Sequence, residues 1–144
     1  MDAEPLVFVY GTLMHGFPLH ALLDGRADSV GEGEVAGLLL DLGRYPAALR
    51  DGGGVIRGEV YRLKDPGLWR ALDSAEGSQY HRREVGVRLA GGRQVTAWIY
   101  WYVGPLRRAV PIPGGDYRAF PPAKSIYHCR FTRGGIRWPC RPQS

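Results

Sequence analysis

Apolar positions along this chain fall into short blocks, and the spacing within each block says which element it forms. Leu6–Tyr10 (LVFVY) is apolar throughout. On a strand, Leu6, Phe8 and Tyr10 share one face and Val7 and Val9 the other, so a central strand covered on both sides is expected. The run stops at Tyr10-Gly11-Thr12, before any hairpin signal. A short helix is expected over Pro18–Leu23, opened by Pro18. EVAGLLLDLG (34–43) reads as one strongly apolar strand, RYPAALRDGGG (44–54) as a loop, and GVIRGEVYRL (54–63) as an alternating strand after a glycine-rich turn.

The period changes in DPGLWRALDSAEG (65–77). Leu68, Ala71, Leu72 and Ala75 recur at i, i+3, i+4 and i+7, one buried stripe of a helix. Asp65 is suited to its N-cap, Pro66 to its first turn and Gly77 to its end. REVGVRL (83–89) and QVTAWIYWYV (94–103) alternate again and are joined by AGGR, a hairpin. Trp98 and Trp101 are expected in the core rather than as stacking platforms, since no basic stripe accompanies them. Five or more strands, mostly hairpin-connected, predict an α+β fold. The expected architecture is a small, mixed, mostly antiparallel β-barrel with one or two short helices packed outside.

Composition sharpens this picture in three places. At 144 residues the chain suits one domain, and 21 Gly with 11 Pro favour strands and turns over a bundle. No apolar run is long enough to span a membrane, and MDAEP lacks the features of a signal peptide, so a cytoplasmic location is expected. The net charge of +5 belongs to the end of the chain: residues 121–144 hold Lys124, Arg130, Arg133, Arg137 and Arg141 with no acid. This predicts one domain over 1–120 and a loosely ordered basic extension over 121–144. A basic tail can touch nucleic acid or an anionic membrane, but without a reading motif the charge is a weak footprint, and a solvated extension is expected over a nucleic-acid partner. Cys129 and Cys140 form no metal-ligand pattern, and DGGG (51–54) lacks the Lys-Ser/Thr of a phosphate loop, so neither metal nor cofactor is expected.

Two stretches carry candidate chemistry. After the first strand, Gly11 permits close approach of another group, and successive N–H groups of the turn form a nest for a carboxylate or an oxyanion. Glu76 ends the helix, where the negative end of the dipole disfavours a carboxylate. Facing an apolar cavity, it would be a base near neutrality; exposed, it would pair with Arg82 or Arg83.

Taken together, VFVYGTLMHG, LGRYPAA, GEVYRL, LDSAEG and YHRREVGV resemble the γ-glutamylcyclotransferase-like superfamily over about residues 5–118. The particular likeness is to the small branch that includes γ-glutamylamine cyclotransferase. The resemblance implies that Tyr10, Gly11, Thr12 and Leu13 cradle a γ-glutamyl group and that Glu76 is the catalytic carboxylate. Tyr80 and Arg82 would shape the site, Tyr100 would face the cavity, and Tyr45 and Pro46 would border it. Met14 stands where the amine-specific members commonly carry lysine, which leaves the leaving group open. The implied activity is release of 5-oxoproline from a small-molecule γ-glutamyl amine or peptide, with no metal or cofactor. A non-catalytic small-molecule-binding barrel of the same fold is the alternative, and oligomeric state is left open.

Overall fold

The structure, a computed structural model, describes residues 5–43, 45–50, 53–106 and 109–119, and the backbone of 131–132 and 135–136. Five strands close a barrel in the order β1-β5-β2-β6-β7, formed by β1 (Leu6–Val9), β2 (Ala27–Ala36), β5 (Val55–Leu63), β6 (Tyr80–Leu89) and β7 (Gln94–Tyr102). All pairings are antiparallel except β1 with β7, where Val7 lies opposite Trp98. The mixed barrel expected from the sequence is therefore present. β1 is central between β5 and β7, with Val7, Phe8 and Val9 buried, as its two apolar faces require.

A second sheet, in the order β4-β3-β8, comprises β3 (Leu38–Asp41), β4 (Pro46–Leu49) and β8 (Val110–Pro111). It corrects two expectations. The apolar run 34–43 is not one strand: it breaks at Gly37 and enters a different sheet. A Cβ at Gly37 would lie 2.7 Å from the Leu49 carbonyl oxygen and 2.8 Å from Ile56 Cδ1, so only glycine fits the crossing. Residues 46–49, read as loop, form β4 because Pro46, Ala47 and Ala48 are buried there in register with β3.

The helix, α1, runs Leu68–Glu76 and starts later than its sequence signals suggest. Asp65 instead turns the chain before it: Oδ1 accepts the Gly67 N–H at 2.9 Å, while Oδ2 holds Arg26. Leu68 and Leu72 are fully buried, but Ala75 is exposed, so the apolar stripe is shorter than expected. α1 ends at Gly77, whose φ of 90° favours glycine. Pro18–Leu22 forms a single 3-10 turn.

Trp101 is in the core, but Trp98 is half-buried, edge-on to Trp69 of α1 at 6.1 Å between centroids. Most of the expected extension, 121–144, lies outside the described residues; within it, Phe131–Thr132 pairs antiparallel with Gly135–Ile136. Among the described residues no helix is long and apolar enough to cross a membrane.

Candidate active site

Beyond β1 the chain makes a tight turn closed by the Met14 N–H on the Gly11 carbonyl at 3.0 Å. That bond leaves the amides of Gly11, Thr12 and Leu13 without an acceptor among the described residues. The group that approaches Gly11 is Pro46, whose Cγ would sit 2.6 Å from an added Cβ. The turn is braced from behind. Glu59 Oε1 accepts the His15 N–H at 2.9 Å, and His20 Nδ1 lies 3.0 Å from the Leu13 carbonyl oxygen.

Glu76, the last residue of α1, faces this turn across a small cavity. Phe8, Val9, Tyr10, Gly11, Thr12 and Leu13 form one side of it, and Tyr45, Pro46, Glu76, Tyr80 and Tyr100 the other. Nine of the ten residues proposed from sequence thus share one cavity. Arg82 is the exception and lies in an adjoining groove with Asp73 and Trp98. Met14 is fully buried in the core and does not line the cavity. The cavity volume is about 20 Å³, room for about one water molecule.

The electrostatics of the cavity set Glu76 apart. It receives no hydrogen bond or ion pair from the described residues, and desolvation alone pushes its pKa up from 4.5 to about 7. Three phenols surround it, and each donates elsewhere. Tyr10 donates to the Tyr100 carbonyl oxygen at 2.6 Å, Tyr80 to the Pro46 carbonyl oxygen at 2.9 Å, and Tyr100 to Asp73 Oδ1 at 2.6 Å. Burial, followed by the proximity of Glu76, holds the Tyr10 and Tyr80 hydroxyls above their ordinary pKa. For Tyr100 the causes are burial and then the Asp73 carboxylate. At neutral pH all three are neutral, which leaves Glu76 as the titrating group of the cavity.

The pairing of Glu76 with an arginine, one of the two sequence readings, does not occur. Arg82 binds Asp73 in bidentate fashion at 3.0 Å for each contact, and its guanidinium lies 4.1 Å from the Trp69 ring centroid. Asp73 was not singled out from sequence; its spacing of three residues from Glu76 on one helix was the available signal. Glu59 was likewise missed, and its register opposite Val9 is visible only in the sheet.

A larger cavity of about 440 Å³ lies elsewhere, lined by Glu32, Glu34, Arg57, Arg88, Asp116 and Arg118 among others. Its charges neutralise one another. Arg57 and Arg88 both bind Glu34, and Arg118 binds Asp116, Glu32 and Glu59. Among the described residues it offers no unpaired acid or base, so Glu76 remains the candidate.

The chain is similar to known proteins in both sequence and fold. A protein of Vibrio cholerae named "Putative gamma-glutamylcyclotransferase" is 38% identical over 116 residues, covering 79% of this chain and 96% of that one. A Methanocaldococcus jannaschii protein with the same description is 29% identical over 119 residues, with the same coverage. Among solved structures, an uncharacterized protein from Pyrococcus horikoshii superposes with a TM-score of 0.68 at 28% identity, covering 87% of this chain and 99% of that one. Residues 7–119, from the first strand to just beyond the second sheet, match the family described as "Gamma-glutamyl cyclotransferase, AIG2-like", and the chain belongs to that family.

Proposed function

We propose that the protein is an intramolecular cyclotransferase that acts in the cytoplasm on a small γ-glutamyl amine or peptide and releases 5-oxoproline, with Glu76 as its general base and acid. The observation that carries this reading is a carboxyl with a pKa near 7 that, among the described residues, meets no donor and shares a cavity with the unpaired amides of the Gly11–Leu13 turn.

The substrate brings its own nucleophile, an α-amine that is inert as an ammonium. Glu76 takes one proton from it. The freed amine attacks the γ-carbonyl carbon, a five-membered ring closes, and the carbonyl oxygen gains negative charge. Amides of the turn stabilise that oxygen or hold the α-carboxylate. The protonated Glu76 then gives its proton to the departing nitrogen as the amide C–N bond breaks, and the second proton of the attacking nitrogen passes through Glu76 to the released amine, which leaves as an ammonium. One C–N bond forms and one breaks, and no water is consumed. The turn and the tyrosine walls hold the chain of the substrate in a folded, ring-closing geometry, which is where much of the rate enhancement of such reactions arises.

A cavity of about 20 Å³ does not hold a γ-glutamyl group, so binding requires the wall to open. The exposed Tyr45 and the Tyr80–Pro46 hydrogen bond form the side nearest solvent. The test is to incubate the protein in 18O-water with a panel of γ-glutamyl amines, dipeptides and glutathione and to detect products by mass. Unlabelled 5-oxoproline with an equal amount of amine is expected; labelled glutamate would mean hydrolysis and would overturn the reading.

A further inference from the structure

We propose that Asp73 is a positioning residue for the Glu76 carboxyl: it captures the Tyr100 hydroxyl and the Arg82 guanidinium, and so keeps Glu76 free of hydrogen-bond donors. The inference rests on the proposed role of Glu76 and extends it to a residue outside the cavity.

Asp73 and Glu76 lie three residues apart on α1, so their side chains are neighbours. Across β6 and β7, Arg82 and Tyr100 stand directly opposite each other. Tyr100 shares the cavity with Glu76, Arg82 lies in the adjoining groove, and Asp73 takes both donors. Its Oδ1 accepts from Tyr100 at 2.6 Å and from Arg82 Nε at 3.0 Å, and its Oδ2 accepts from Arg82 Nη2 at 3.0 Å. Trp69 and Trp98 fix the guanidinium from its flanks, at 4.1 and 5.4 Å from their centroids. Of the other groups facing Glu76, Tyr10 from β1 and Tyr80 from β6 donate to backbone carbonyls, Tyr45 stands edge-on to Tyr80, and the amides of the Gly11–Leu13 turn lie across the cavity.

A carboxylate that accepts hydrogen bonds is a weaker base than one that accepts none. Were Asp73 absent, the Tyr100 hydroxyl and the Arg82 guanidinium would need a new acceptor, and Glu76 is the adjacent one. Asp73 thus keeps Glu76 basic without touching the substrate.

The test is an NMR titration of the Glu76 carboxyl carbon in protein labelled at glutamate. In Asp73→Ala the midpoint should fall by about 1–2 pH units. Asp73→Asn keeps one acceptor oxygen for Tyr100 and loses the charge and the second contact to Arg82, so a smaller fall is expected, and it serves if the alanine variant does not fold. Adding Arg82→Leu and Tyr100→Phe to Asp73→Ala removes the released donors and should restore the wild-type midpoint. An unchanged midpoint in the single variants overturns the inference, as does a triple variant whose midpoint stays low. The readout needs no turnover, so failure to release 5-oxoproline strikes the proposed function while the titration still decides this inference.

Discussion

Replacing Glu76 by Gln should change stability in a pH-dependent way, and the size of the effect follows from its surroundings. The carboxyl has an ordinary pKa of 4.5 in the unfolded chain and about 7 in the fold. Below pH 4 it is protonated in both states and contributes no difference. As pH rises from 4.5 to 7 the unfolded chain releases this proton while the folded protein retains it, so stability falls; above 7 the loss is complete. At about 1.4 kcal/mol per pH unit, the ionised carboxyl costs the fold about 3 kcal/mol at pH 8. Glutamine carries no such cost, although its amide brings a penalty of its own that does not vary with pH. The difference between variant and wild type should therefore shift in favour of the variant by about 3 kcal/mol between pH 4 and pH 8, or roughly 6–12 °C in Tm. Urea unfolding of both proteins at several pH values measures this, and other titrating groups cancel in the difference. A difference that stays constant over that range would mean an ordinary, solvated carboxylate, and the reasoning would fail.

Three further outcomes are expected. In kcat/KM against pH, activity should fall tenfold per unit on the acid side of a midpoint near 7, because Glu76 must be ionised to accept the proton; a midpoint near 4.5 would remove it as the base. Gly11→Ala should cost about 1–3 kcal/mol and most of the activity, since the new methyl meets Pro46 and pushes the turn from its place; thermal unfolding and turnover check it. Leu72→Ala should destabilise by about 2–5 kcal/mol with little change in the pH midpoint of activity, because Leu72 anchors α1 in the core without lining the cavity.

Elements whose signals are local were legible in the sequence. β1 could be placed at the centre of the sheet because both of its faces are apolar, and the β6–β7 hairpin because two alternating runs flank a glycine turn. β2 was legible only at its end. Its residues 27–33 are largely polar, interrupted by Gly31 and Gly33, and carry a bulge between Ser29 and Gly31, all of which mask the period of two. The break at Gly37 is imposed by Leu49 and Ile56, which are distant in sequence. β4 consists mainly of small residues with weak strand preference and is a strand because β3 pairs with it.

The site followed the same division. Glu76 stands out from sequence because a carboxylate at a helix C-terminus is unfavourable. Asp73 reads as an ordinary helix acid, and its partners Tyr100 and Arg82 meet it only through the register of β6 on β7. The resemblance groups Arg82 with the site, and alternation puts it on the same face of β6 as Tyr80, yet Asp73 and the two tryptophans hold its guanidinium outside the cavity.

The most direct test of the account is the rate of 5-oxoproline release by wild type and Glu76→Gln, compared on the best γ-glutamyl substrate at pH 8. The account predicts a fall of about 10²–10⁴ in kcat, the range of a lost acid–base group, in a variant that remains folded. A variant that keeps the wild-type rate would contradict it.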